Sequence, residues 1–183
     1  VLCNRDEEKG EALALKLGAE FVQDPKEAAA QAQWIVLAVK PKDLQSVAKQ
    51  MPLTEEHTLL SVLGGVSLET QMKAFPKSRV IRLMPNTAIT TGKGIIGLSA
   101  QEDLSIEDKE KVTELFSEVG RLFWLSYSMM NAFAAFASSS PAFVFVIMEA
   151  MIESGIYLGF QAQEATVIVT GVFEGAAVLL FFF

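Results

Sequence analysis

The stretch "GKGIIG", Gly92 to Gly97, sets glycines at the G-x-G-x-x-G spacing that cradles a dinucleotide's phosphates. That chemistry needs a strand running into the loop and a helix leaving it, because the helix's free N–H groups meet the pyrophosphate. Seven residues separate Gly92 from the apolar run that ends at Met84. Gly94 then leads into "IIGLSA", which is strand-like and carries no helix cap. The context therefore predicts a turn feeding an added strand, and a true phosphate loop would precede Val1, outside this sequence. Other reactive side chains are sparse. Cys3 is the single cysteine, so a disulfide within the chain is excluded, and its apolar surroundings predict a small buried hydrophobe. His57, the single histidine, follows Glu55 and Glu56 and is expected on an exposed loop. Ligands are too few for zinc, and no metal site is expected. What remains are the residues closing the apolar runs: Asn4-Arg5, Ala38-Val39-Lys40-Pro41, Gly64-Gly65 and Met84-Pro85-Asn86-Thr87.

The elements that position these residues follow from periodicity and punctuation. Val1–Cys3, "WIVLAV" (Trp34–Val39), "TLLSVL" (Thr58–Leu63) and "RVIRLM" (Arg79–Met84) are short apolar runs of the kind that forms strands covered on both faces. Glu20–Val22 is a brief further strand. Between them lie helical patterns at Glu7–Leu17, from Asp24-Pro25, at Asp43–Met51 and at Ser67–Phe75. Asp24 and Ser67 serve as caps, Pro25 occupies a first helical position, and Gly18 is a stop. Strand–helix alternation predicts an α/β fold with a parallel sheet and right-handed crossovers. Ligands of such sheets bind outside the carboxyl ends of the strands. The four run-ending groups should then form the rim of one crevice, side by side. Ser105–Val119 reads as an amphipathic helix and Arg121–Leu125 as a further strand.

Beyond Ser126 the composition changes. Met129–Ala137, Pro141–Ser154 and Gln163–Leu180 are helix-like and very apolar, which predicts a domain boundary near Tyr127, dividing residues 1–126 from 127–183. The segment from Met129 to Ile152 has the length to span a bilayer, but a proline, three serines and Glu149 interrupt it and no basic cluster flanks it. Burial in a homo-oligomeric helical interface is the expected outcome, with no membrane span. Packing among the helices themselves, and on residues beyond Phe183, is the simpler alternative. A net charge of −7 and a pI near 4.8 argue against nucleic acid as a partner. Nothing in the cysteine usage suggests an oxidising compartment, so a cytoplasmic location is expected. A non-Met start inside a strand, no signal peptide pattern and an apolar "VLLFFF" end read as an internal piece of a longer protein.

These residues resemble the pyrroline-5-carboxylate reductase family. The carriers are "NR" after the first strand, "AVKP" at Ala38–Pro41, "VIRLMPNTAITTGKGIIGLSA" from Val80 to Ala100, and "SSSPAFVFVIMEAMIESGIYLGF". The resemblance covers nearly the whole chain. It implies a Rossmann-type parallel sheet followed by an all-helical dimerisation domain. The implied reaction is reduction of 1-pyrroline-5-carboxylate to L-proline by hydride from NADPH, with NADH as the alternative donor, in proline biosynthesis. Asn4 and Arg5 would lie at the adenosine ribose, where an Arg accommodates a 2′-phosphate; Asp6 stands one residue later. Ala38, Val39, Lys40 and Pro41 would line the ribose and diphosphate, and Met84, Pro85, Asn86 and Thr87 the nicotinamide end.

On the same resemblance, the Ser138-Ser139-Ser140-Pro141 turn, opening a helix, would offer N–H donors to the substrate carboxylate, Ser139 foremost. Glu149, among apolar neighbours, would be a buried acid that stabilises an iminium or relays a proton, or else an interface hydrogen-bonding group. The family's Gly-Ser-Gly is Ser138-Ser139-Ser140 here, and its Pro after "GF" is Gln161. Its Gly-Gly-Thr-Thr-type segment is expected past Phe183. Two other readings stay open: a non-catalytic relative that dimerises through its helices, and another dehydrogenase of the same layout acting on a different small acid.

Overall fold

The computed structural model describes residues 1–101, 104–180 and 182. The element order is β1 (Leu2–Cys3), α1 (Glu7–Leu17), β2 (Phe21–Val22), α2 (Pro25–Ala30), β3 (Trp34–Leu37), α3 (Leu44–Gln50), β4 (Thr58–Ser61), α4 (Leu68–Ala74) and β5 (Arg79–Pro85). There follow β6 (Gly94–Ala100), α5 (Ile106–Phe116), β7 (Gly120–Trp124), α6 (Met130–Phe133), α7 (Ser140–Tyr157) and α8 (Ala162–Leu179). The helix starts obey the local signals. Asp6, Asp24, Ser67 and Ser105 each accept a backbone N–H from the first turn of their helix. Gly18 ends α1 in the left-handed conformation, at φ 63°, and its N–H caps the last carbonyls.

The strands form two sheets. One is the parallel pair β1-β2, and the other has the order β3-β4-β5-β6-β7. The four strand ends expected side by side are therefore divided: β3, β4 and β5 are neighbours, while β1 belongs to the smaller sheet. β6 runs antiparallel to β5, because the short 3-10 turn Thr87–Thr91 returns the chain directly, and β7 is parallel to β6. "GKGIIG" is accordingly a turn and a strand. Gly92 takes φ 71° at the end of that 3-10 turn, and Gly94 opens β6.

Alternate residues of the large sheet feed two apolar layers. Leu59 and Val80 pack with Leu37, Leu44, Leu68 and Phe75 beneath α3 and α4. Leu60, Ile81, Leu83, Ile96 and Leu98 pack with Val112 of α5 on the opposite face. All four residues of β4 are buried, and full burial of Leu59 and of Leu60 contributes about 1.5–3 kcal/mol each. β3 departs from the expectation of cover on both faces, since Val36 is 55% exposed at the edge of the sheet. Cys3 also departs from expectation. β1 pairs on one side only, with β2, and the thiol is exposed. Partial burial, followed by the nearby Asp24 carboxylate, raises its pKa. His57 is half-buried rather than free on a loop. Its Nδ1 accepts the Thr54 N–H at 2.9 Å and its Nε2 lies 3.2 Å from the Ala29 carbonyl, which fixes the loop before β4 to the end of α2.

From Tyr127 to Tyr157 the chain is one continuous helical segment of 31 residues. A π turn at Ala134–Ser138 joins α6 to α7. Pro141 accounts for the distortion: it has no N–H, and its ring cannot pass the carbonyl four residues back, at Ala137. The turn Leu158–Gln161 reverses the chain, with Gly159 at φ 104°. Gln161, where the resemblance has Pro, then caps α8 reciprocally with Glu164.

No residue of α7 is buried, and only Ala165 and Val169 of α8 are. Both helical segments are long and apolar enough to cross a membrane by length and composition. The chain exposes 12313 Å2, against about 8,700 Å2 expected for a compact monomer of this mass. Apolar helix surface that includes Phe143, Phe145, Val146 and Ile147 contributes to the excess.

Candidate active site

The residues expected to form the rim close β1, β3, β4 and β5, and β1 lies in a sheet separate from the other three. At β1, Asn4 Oδ1 accepts the Asp6 N–H at 3.0 Å. Asp6 is fully engaged as the cap of α1: one oxygen takes the Lys9 N–H at 3.1 Å and the other the Lys9 ammonium at 2.7 Å. Those hydrogen bonds, the side-chain bond foremost, hold the Asp6 carboxyl below its ordinary range. The acid that could have faced a ribose is therefore turned into the helix start. Arg5 is left as the projecting charge at this tip, 87% exposed, with a loose contact to Asp43 at 3.6 Å. Asp43 belongs to the 3-10 turn Pro41–Asp43 that follows β3, so the Arg5–Asp43 pair brings the β1 end beside the Ala38–Pro41 segment.

At β3, Ala38, Lys40 and Pro41 are exposed and Val39 is half-buried. At β4, Gly64 and Gly65 leave open space where side chains would stand, and Gly65 adopts φ 72°. At β5, Met84, Pro85 and Asn86 are half-buried and Thr87 is exposed. Asn86 does structural work: its Oδ1 accepts the Ile95 N–H at 3.1 Å and its own N–H reaches the Ile95 carbonyl at 3.2 Å, which extends the β5–β6 ladder by one step. Its Nδ2 donors make no hydrogen bond among the described residues. Lys40 and Asn86 thus follow strands that flank β4, and the bare Gly64-Gly65 turn lies between them in the order of the sheet.

The Ser138–Pro141 segment differs from the expected helix start. The helix runs through it, and its amides are already used: the Ser139 N–H donates to the Ala134 carbonyl and the Ala142 N–H to the Ser139 carbonyl. The Ser139 hydroxyl donates back to the Ala134 carbonyl at 3.4 Å, and the Ser140 hydroxyl to the Phe136 carbonyl. Both fill gaps opened by the π turn. Ser138 alone keeps a buried hydroxyl without a partner. Glu149 is exposed, not buried, because nothing in the chain covers α7.

Sequence reasoning passed over one buried cluster. Arg82 of β5 is 3% exposed, and its Nε makes no hydrogen bond. The strand registers place Ser61 of β4 on one side of it and Ser99 of β6 on the other, all on the same face of the sheet. The Ser99 hydroxyl, 1% exposed, is also unpartnered. The helical segment lies on this face: Phe133 stands where a side chain at Gly97 would be, 2.6 Å from the ideal Cβ, and stacks at a tilt on Phe123. Burial lowers the Arg82 pKa, and the adjacent Tyr127 acts in the opposite sense. The available signal was a charged residue inside the apolar run "RVIRLM".

Comparison with known proteins agrees with this architecture. Residues 127–181 match the family described as pyrroline-5-carboxylate reductase dimerisation, and residues 1–65 match NADP oxidoreductase, coenzyme F420-dependent. Pyrroline-5-carboxylate reductase of Aquifex aeolicus is 34% identical over 169 residues, 92% of this chain and 63% of the relative. That of Corynebacterium melassecola is 32% identical over 183 residues, 97% of this chain and 68% of the relative. The structure of the Coxiella burnetii pyrroline-5-carboxylate reductase superposes with a TM-score of 0.88 at 30% identity, covering 99% of this chain and 69% of that one. The chain thus spans roughly two thirds of the length of these relatives. With the same strands, the same helical arm and this identity across almost its full extent, the chain belongs to the pyrroline-5-carboxylate reductase family.

Proposed function

We propose that the protein reduces 1-pyrroline-5-carboxylate to L-proline with NADPH, as a cytoplasmic homodimer. The observation that carries this reading is the match to reductases along the whole chain, sheet and helical arm together. The donor set at the rim fits a dinucleotide. Arg5 presents a guanidinium suited to a 2′-phosphate, with only a loose contact to Asp43 to give up, while the adjacent Asp6 is spent on capping α1. Asn4 holds that turn in place. Ala38, Val39, Lys40 and Pro41 line the ribose and diphosphate beside the side-chain-free Gly64-Gly65 turn. Met84, Pro85, Asn86 and Thr87 meet the nicotinamide, with the Asn86 Nδ2 donors turned to it.

When bound, the cofactor supplies the hydride. The residues of this chain orient the two reactants, exclude water and receive the substrate's negative charge. Ser138, Ser139, Ser140 and Pro141 form the substrate side, with Ser138 contributing the free hydroxyl. Glu149 acts once α7 is covered, where its carboxylate favours the protonated imine. Residues 1–126 are the cofactor-binding unit and 127–183 the dimerisation unit. The second copy covers the apolar faces of α7 and α8, which accounts for their exposure in one chain without a membrane; an excess of about 3,600 Å2 per chain, about 7,200 Å2 for two copies, reaches beyond the usual span of obligate interfaces, so an interface of obligate size covers a large part of it.

The test is the loss of NADPH absorbance on adding 1-pyrroline-5-carboxylate to the purified chain. Turnover that needs both compounds supports the reading. A second reading, a non-catalytic dimerisation module, draws on the exposure of Glu149 and of the whole of α7. It predicts a stable dimer that neither binds NADPH nor consumes it.

A further inference from the structure

Gln71 of α4 is fully buried, one turn from Leu68 and from Phe75, which lie in the same apolar layer. Its Nε2 donates to the Val66 carbonyl at 3.1 Å, and its Oε1 has no partner among the described residues. For stability alone this is an unfavourable choice. One neutral hydrogen bond contributes less than a free buried acceptor costs. An apolar side chain of the same length would fill that layer without the cost. What distinguishes Gln71 is the group it grips. Val66 follows the Gly64-Gly65 turn at the carboxyl end of β4, the strand between β3 and β5. Space is open where a Cβ would stand on either glycine, and Gly65 takes φ 72°. Glycines lose more conformational freedom than any other residue when they are fixed. The flanks of the turn are held locally: the Leu63 N–H donates to the Ser61 hydroxyl at 3.4 Å, and the Ser67 hydroxyl accepts the Thr70 N–H at 3.0 Å. Among the described residues, the bond from Gln71 is the side-chain hydrogen bond that reaches residues 64–66.

We propose that Gln71 is a positioning residue: its amide fixes the Val66 carbonyl, and through it the peptide planes of the Gly64-Gly65 turn. The side-chain-free backbone then keeps one shape between the ends of β3 and β5. Release of the Val66 carbonyl leaves both glycines free, and a ligand that approaches their backbone must order them itself, at a loss of affinity. Val66 is half-buried, so its freed carbonyl can turn to water. The fold tolerates that change; the shape of the turn does not. The inference rests on the proposed reductase reading for the identity of the ligand, NADPH, and the hold of Gln71 on the turn is independent of it.

The experiment compares the full chain with Gln71→Met, which keeps the length and removes the amide, and with Gln71→Leu. NMR relaxation of 15N gives order parameters at Gly65 and Val66, fluorescence titration gives the NADPH dissociation constant, and thermal melts report stability. In both variants NADPH should bind about five- to tenfold more weakly, and the two order parameters should fall from about 0.85 to below about 0.6. The melting temperature should hold or rise. Unchanged order parameters overturn the proposal. So does unchanged NADPH affinity in a chain that binds it, because a lower melting temperature alone marks a merely structural role. Should neither variant fold, the unmodified chain decides. Its Gln71 side-chain amide should exchange at least about tenfold more slowly than that of the exposed Gln23, and equal rates overturn the proposal. An unmodified chain that does not bind NADPH counts against the reductase reading instead, and the order parameters still decide for or against Gln71, so the two failures are distinguishable.

Discussion

In the proposed reading, cofactor choice rests on two adjacent side chains, Arg5 and Asp6. Asp6 cannot serve a free 2′-hydroxyl while both its oxygens are held by Lys9, and Arg5 has no strong partner to leave. Substituting Arg5→Asp should weaken NADPH binding by about 1.5–3 kcal/mol, tenfold or more, with a smaller effect on NADH. Calorimetric titration of both variants checks this, and equal NADPH affinities would exclude a role for Arg5. Asp6 also sets a pH dependence. Its folded pKa lies below the ordinary 3.8, so its stabilising contribution is present above the unfolded value and lost as pH falls through the folded one. Thermal melts over that acid range should show a slope for the unmodified chain that Asp6→Asn flattens. Neither outcome was legible from "NRD" alone, since the spacing allowed Asp6 to face either the ribose or the helix start.

At the level of elements, the decisive contact is the seat of the helical arm on the sheet. Gly97 has no side chain, and the Phe133 ring fills that space. Gly97→Ala should cost about 1–3 kcal/mol through overpacking. Its melting temperature should fall by several degrees in calorimetry while the far-UV spectrum is unchanged. The caps at Asp24, Ser67 and Ser105 and the stop at Gly18 were readable because they act within one turn of the chain. The unbroken helix through Pro141 was not. Proline normally signals a start, and only the π turn, with Ser139 and Ser140 donating to the freed carbonyls, lets the helix continue.

For the whole molecule, the dominant fact is uncovered apolar surface on α7 and α8. The proposed second copy makes a direct forecast. The purified chain should sediment as a dimer, and Val146→Asp should raise the dissociation constant over a hundredfold, about 3 kcal/mol or more, by burying an unpaired charge. The monomeric sheet should keep its own fold in that variant, because Val146 touches solvent and not the core. Sedimentation equilibrium over a concentration series measures both states.

Local chemistry in the sequence determined the strand–helix alternation, the helix caps and the added strand at Gly94. Each depends on residues a few positions apart. Tertiary structure alone decided which strands lie side by side, placing β1 in its own sheet. It also committed Asp6 to the start of α1 and set Arg82 between Ser61 and Ser99. Those are consequences of strand register and of packing between distant segments, and periodicity along the chain carries no information about either.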